Sequence, residues 1–276
     1  MATLNRVAAR TPDGRILFEN LTLSIGRERL GLVGRNGAGK STLLDILAGE
    51  RAPMEGAVAL NGSVARLKQT PDANPGRTAA DLLGAAGPRA VLARILAGEG
   101  DEADLAAADW SLDERLEAAL AAVGLSGLDL ERPAEGLSGG ERTRLGLAAL
   151  QLAALDLVLL DEPTNHLDGE GRALLADWLS RWPGGAVVVS HDRALLRGMD
   201  RIVELSSLGA AVHGGNYDLY AERKAQERVA AEQGLAVAER ELARIAREGQ
   251  KAREKQARRD AAGRRYFGTP ASRPDV

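Results

Sequence analysis

The sequence predicts an α/β protein built on a parallel sheet. Three observations carry that expectation. Short apolar runs alternate with stretches of helical spacing between residues 29 and 213, as strand–helix–strand units do. The run "DLVLLDE" at 156–162 shows no polar alternation, as a strand covered on both faces requires. "GRNGAGKS" at 34–41 puts a glycine-rich loop between a predicted strand and a predicted helix, the context in which such a loop has a use.

"LTLSI" (21–25) alternates like a half-buried strand. "RLGLVG" (29–34) reads as a buried strand feeding the glycine loop, after which Leu43, Leu44 and Leu47 keep helical spacing until Gly49 stops the helix. "AVALNG" and "VARLKQ" are short strands joined by an Asn-Gly-Ser turn. From about 78 to 132 the chain turns helical and Ala-rich, broken by Gly or Pro at 84, 87–88 and 98–100, as in a small helical subdomain. A helix starts near Ser138 and runs to about 154. The strand "DLVLLDE", a helix at 169–181, a strand at 186–190, a helix at 192–199 and strands at 201–205 and 209–213 follow. Residues 218–262 hold no Pro and are rich in Ala, Arg, Glu and Gln. They read as one helix of about 65 Å, weakened by Gly234 and Gly249. Leu235, Ala238, Leu242, Ile245 and Ala252 fall on an a/d-like seam, and "GTPASRPDV" reads as a frayed end or the start of a linker.

Composition narrows the classes. At roughly 150 residues per domain, the chain holds one large domain and an appendage, or two small domains. With 45% hydrophobic and 27% charged residues it supports a core, and with 3% aromatics that core is aliphatic. The absence of cysteine excludes a disulfide framework and a thiolate metal site, and fits a reducing, cytoplasmic setting. "MATLNRVAAR" has no apolar signal core. The longest apolar stretch, "LGLAALQLAALDLVLL", is interrupted by Gln151 and Asp156, so no membrane span is expected. Charge is uneven: residues 221–276 carry 14 Lys and Arg against 9 acids, a net of +5, and the rest a net of −8. Two parts with different partners follow from that split.

"GRNGAGKS" matches the phosphate-binding pattern G-x-x-x-x-G-K-S in full. Successive backbone N–H groups from Asn36 to Ser41 make an anion nest at a helix N-terminus. Gly37 and Gly39 let the backbone approach closely, Lys40 reaches β- and γ-phosphates, and Ser41 offers its hydroxyl to Mg2+. In that company the acid pair after the apolar strand acquires roles: Asp161 holds the metal through water and Glu162 orients or deprotonates the attacking water. "LSGGE" at 137–141 opens a second anion-binding helix start.

The phosphate loop, "LSGGE", the strand ending in Asp161 and Glu162, and the lone His191 after "VVVS" together resemble an ATP-binding cassette over nearly the whole chain. The resemblance implies a P-loop NTPase core at residues 1–215, with an antiparallel β subdomain and a helical subdomain at about 71–136, followed by a linker helix at 216–276. It implies that Gly34, Arg35, Asn36, Gly37, Ala38, Gly39, Lys40, Ser41 and Thr42 bind ATP. It implies that Gln69 lies near Mg2+ and the water and that His191 contacts the γ-phosphate. Leu137, Ser138, Gly139, Gly140 and Glu141 are expected to close over ATP held by a second cassette. "DEPTNHLD" and the basic helix after "HGGNYDLYAERKAQE" are similar to the ABC-F subfamily, soluble two-cassette proteins that act on the ribosome in translation or antibiotic protection. On that pattern the helix is the first half of a helical hairpin that touches rRNA, and Asn165, His166 and Asp168 form a loop facing the opposite cassette. The chain stops before any second cassette, which leaves a fragment or a half that pairs with another copy. The aromatic expected to stack on adenine is missing, its place falling near Pro12, which implies weak stacking or loose nucleotide selection.

Other readings stay open on sequence alone. The chain also fits the ATPase subunit of a transporter, or an ATP-binding half that does not hydrolyse by itself. A basic helix without base-reading residues does not distinguish ribosomal RNA from branched DNA.

Overall fold

In the computed structural model, which describes residues 1–67 and 76–266, the chain divides into a body, Met1–Tyr220, and a second unit, Ala221–Val276. The body is built on two sheets. Strands β1 (Ala2–Arg10), β2 (Ile16–Ile25) and β4 (Glu55–Leu60) form an antiparallel sheet in the order β2-β1-β4. Strands β3 (Arg29–Gly34), β5 (Val64–Leu67), β6 (Leu157–Asp161), β7 (Gly185–Val189), β8 (Arg201–Ser206) and β9 (Gly209–Gly214) form the larger sheet. Its order is β5-β6-β7-β3-β8-β9, parallel except for β9.

β1 and the first half of β2 are absent from the expectation, which begins at Leu21. The reason is local. Arg6 and Asn20 adopt left-handed backbone (φ 50 and 53), and the β1–β2 register shifts between Leu4 and Val7 and again between Val7 and Ala9. A bulge inserts one residue and breaks the period of two that betrays a strand. The expected turn at Asn61-Gly62-Ser63 exists, but it does not make a hairpin. It carries the chain from the antiparallel sheet into the parallel one. Ser63 is tied to the start of β6, its N–H and hydroxyl donating to Asp156 Oδ2 at 2.9 and 3.1 Å.

β6 explains why "LVLLD" does not alternate. Leu157 and Leu159 face one core, with helix α1 (Lys40–Leu47) and the antiparallel sheet. Val158 and Leu160 face the other, packed among α5 (Leu112–Ala122), α6 (Gly139–Leu152), α7 (Gly169–Arg181) and α8 (Arg193–Leu196). Burying a Leu or Val side chain contributes about 1.5–3 kcal/mol, so both faces favour apolar residues at every position.

The helical segment contains α2 (Ala79–Leu82), α3 (Ala86–Leu96), α4 (Glu102–Ala107) and α5, then a 3-10 turn at Ala134–Gly136. Gly84 and Gly98 end helices in left-handed backbone, as read. Gly87 and Pro88 do not break α3; they lie in its first turn, where proline's missing N–H costs nothing. The last helix, α9 (Tyr217–Tyr266), runs unbroken through Gly234 and Gly249. Ion pairs one turn apart support it, among them Arg228–Glu232 at 2.9 Å and Arg244–Glu241 at 2.6 Å. Within that helix the seam residues Leu235, Leu242 and Ile245 are 62%, 67% and 55% exposed.

Candidate functional site

β3 delivers the chain into the phosphate loop at Gly34. A Cβ there would sit 2.5 Å from the Leu205 carbonyl oxygen, so glycine is required. Gly37 and Gly39 take φ of 77 and 96, values that favour glycine. Gly39 is the N-cap of α1, and no side chain caps the helix. Its first-turn N–H groups therefore have no side-chain partner and face an anion site. Lys40 is buried and folds back on its own loop, donating from Nζ to the carbonyls of Gly34 (3.0 Å) and Arg35 (3.4 Å).

A cavity of about 390 Å3 lies over this loop. It is lined by Asn36, Gly37, Gly39, Lys40, Ser41 and Thr42, and by Asp161, Glu162 and His191 from the ends of β6 and β7. These residues, up to 155 positions apart in sequence, meet because parallel strands all point their C-terminal ends the same way. Gly34, Arg35 and Ala38 shape the loop without lining the cavity.

The acid pair divides sharply. Asp161 is the last residue of β6 and is buried; its Oδ2 accepts from Arg66 Nη2 at 2.7 Å. Glu162 leaves the strand in left-handed backbone (φ 48) with its N–H on Val189 O. A non-glycine residue there carries about 1–3 kcal/mol of strain, and the turn swings the Glu162 side chain into the cavity wall. Its Oε1 lies 3.4 Å from His191 Nε2. Burial pushes the Glu162 carboxyl above its ordinary value, against the pull of His191 and Lys40.

Ser41 and Asp161 bring a hydroxyl and a carboxylate, hard oxygen donors that suit Mg2+. Among the described residues no three His, Cys, Asp or Glu side chains converge on a metal position, so phosphate oxygens and water have to complete any shell here. Gln69 lies outside the described residues.

None of Leu137, Ser138, Gly139, Gly140 or Glu141 lines this cavity. They form the start of α6, closed by a capping box: Ser138 Oγ accepts from Glu141 N (3.2 Å) and Glu141 Oε2 accepts from Ser138 N (2.7 Å). Those contacts hold the Glu141 carboxyl below its ordinary value. His166 packs against the two glycines; a Cβ on Gly140 would lie 2.8 Å from the His166 carbonyl oxygen. Asp168 caps α7 through Gly171 N at 2.8 Å, and Asn165 lines an adjoining cavity with Glu162 and His191. Where a stacking aromatic is missing, Thr11 and Arg15 line the wall instead of Pro12.

Sequence reading missed Arg66. A charged residue inside the apolar "VARL" was the available signal. Its partners, Asp45 and Asp161, lie 21 and 95 residues away, so no local pattern announces them.

The ABC transporter family matches residues 18–165, more than half of the 276. The chain is an ATP-binding cassette. It is 37% identical over 246 residues to the tylosin resistance ATP-binding protein TlrC of Streptomyces fradiae, covering 78% of this chain and 44% of that protein. It is 36% identical over 251 residues to the energy-dependent translational throttle protein EttA of Mycobacterium tuberculosis, covering 81% and 44%. An Arabidopsis thaliana relative, ABC transporter F family member 2, is 32% identical over 218 residues, covering 78% and 30%. These similarities place the cassette with the ABC-F type. The cassette spans less than half the length of these curated relatives. Its fold also matches the dimeric cassette MJ0796 bound to ADP and Pi, at TM-score 0.62 and 22% identity, over 78% of this chain and 98% of that one. Among the described residues no helix is long and apolar enough to cross a membrane.

Proposed function

We propose that this chain is one ATP-hydrolysing cassette of an ABC-F protein, working in the cytoplasm and using ATP-driven closure against a second cassette to act on the ribosome. The carrying observation is the split site. One cavity gathers Lys40, Ser41, Asp161, Glu162 and His191, while the signature segment 137–141 stands outside it. A complete site then takes its signature loop from a partner cassette, in the same polypeptide or a second copy.

Within the cavity each residue has a distinct task. The phosphate-loop N–H groups and Lys40 hold the phosphates. Ser41 and Asp161 would hold Mg2+, and the bound ion would supply charge that neutralises the β- and γ-oxygens. Glu162, its carboxyl raised by burial, takes the proton from the attacking water. His191, 3.4 Å from Glu162, would donate to the γ-phosphate. The names of TlrC and EttA, tylosin resistance and translational throttle, support the ribosomal reading, as does the +5 charge beyond residue 220.

The test is co-sedimentation of the Glu162→Gln protein, with its counterpart changed in a second cassette where one is present, with ribosomes in ATP and Mg2+. Retention above wild type is expected, because the closed state no longer reopens by hydrolysis. Equal, background-level pelleting of both proteins overturns the ribosomal assignment.

A further inference from the structure

Arg66 does not line the cavity, yet it is bonded to one of the acids that does. It sits on β5 beside β6, with Arg66 in register with Leu159. Its side chain is 7% exposed. Three carboxylates surround it. Nη2 donates to Asp161 Oδ2 at 2.7 Å, Nη1 donates to Asp45 on α1, and Glu50 lies 3.7 Å from Nη1. Its Nε is buried with no hydrogen-bond partner. A buried guanidinium that leaves one donor unsatisfied gives up hydrogen-bond energy, so packing alone is a poor reason for its place.

The charge is where it matters. Arg66 binds Asp161 through one carboxylate oxygen, Oδ2, and Asp161 lines the cavity. The same contact puts a permanent cation beside Asp161, the more deeply buried of the two carboxylates that line that cavity. A fixed unit charge a few Å away acts strongly on a divalent ion at this site. It also helps hold an anionic nucleotide before any metal arrives.

We infer that Arg66 is a positioning residue that stands in for the metal: it occupies Asp161 and supplies positive charge when Mg2+ is absent, and so sets how strongly nucleotide binding depends on Mg2+. This rests on Asp161 being the metal acid. The effect is a linkage. Removing Arg66 weakens metal-free nucleotide binding, because a nearby cation is lost. It strengthens metal-loaded binding, because Asp161 is released and a like charge is removed. Both changes enlarge the same ratio.

The experiment measures the affinity of a fluorescent, non-hydrolysable ATP analogue with Mg2+ and with EDTA, on the whole chain. The ratio of the two is the metal-linked gain. For Arg66→Met the gain should rise at least about tenfold, while Arg66→Lys, which keeps the charge, should stay within about threefold of wild type. An unchanged gain in Arg66→Met overturns the inference, whatever happens to its melting temperature, and reduces Arg66 to a staple between α1 and β6. If Arg66→Met does not fold, Arg66→Met with Asp45→Asn removes the facing charge as well and is judged by the same tenfold criterion. Asp161→Asn separates the two levels. A gain that survives Asp161→Asn sinks the metal-acid reading itself; a gain lost there but unmoved in Arg66→Met sinks only the inference.

Discussion

Glu162 carries its chemistry in its surroundings. Burial raises its carboxyl, and the nearby His191 and Lys40 only partly oppose that. A base must be ionised to act, so the acid limb of the ATPase pH profile should lie above the ordinary carboxylate range, and Glu162→Gln should lose about 10²- to 10⁴-fold in rate. A profile falling only at the ordinary carboxylate value, or a variant at wild-type rate, assigns the base elsewhere. Stability follows the opposite sense. The folded carboxyl is raised, so its protonated form suits the fold. That contribution is fully present below the unfolded value and is lost as pH rises through the folded one. Glu162→Gln should therefore melt with wild type in acid and above it at neutral pH. Gly140 makes the complementary point. Gly→Ala inside a helix ordinarily gains up to about 1 kcal/mol. Here the added Cβ meets the His166 carbonyl at 2.8 Å, so Gly140→Ala should lower the melting temperature and displace the segment 165–168 from the signature helix.

Elements show which parts of the molecule announce themselves in sequence. α7 begins and ends where its spacing says, at 169 and 181, because Asp168 caps it through its own side chain and Trp182 leaves helical backbone before Pro183. The phosphate loop is legible because every glycine in it answers a local demand, and the acid pair because a carboxylate at the end of a strand buried on both faces stands out from the apolar run before it. β1 was not legible, since Arg6 bulges out of the alternation. Nor was Arg66, whose meaning comes from carboxylates on α1 and β6. α9 is legible as a helix and silent about its purpose, being charged nearly all round. Arg247, Arg253, Arg258 and Arg259 are all exposed on it, and residues 240–267 hold ten bases against four acids. Phosphate contacts of this kind are read out as salt dependence. Deleting 240–276 should leave nucleotide affinity intact, weaken ribosome co-sedimentation and flatten its salt dependence. Identical pelleting at low and high salt, with and without the segment, would remove the helix from the interface.

At the scale of the whole molecule the question is what one cassette does alone. The cavity is lined by the phosphate loop, two carboxylates and a histidine, yet the signature helix start stands outside it. Binding needs only the first set, so the isolated chain should bind ATP as a monomer. On the proposed split site hydrolysis needs both, so turnover should require two chains. Mass action then governs the rate: below the dimer dissociation constant the rate per chain rises with concentration, and ATP shifts the equilibrium because it binds the closed pair best. Glu162→Gln separates assembly from chemistry. With ATP and Mg2+ it should elute from size exclusion as a stable dimer, while Asp161→Asn, lacking the metal carboxylate, should stay monomeric. The two acids stand next to each other in the chain, so a general loss of negative charge predicts the same behaviour for both; only separate tasks predict different elution. A rate per chain that is fast and flat across a hundredfold dilution would mean that one chain completes its own site, and the paired-cassette mechanism would have to be given up.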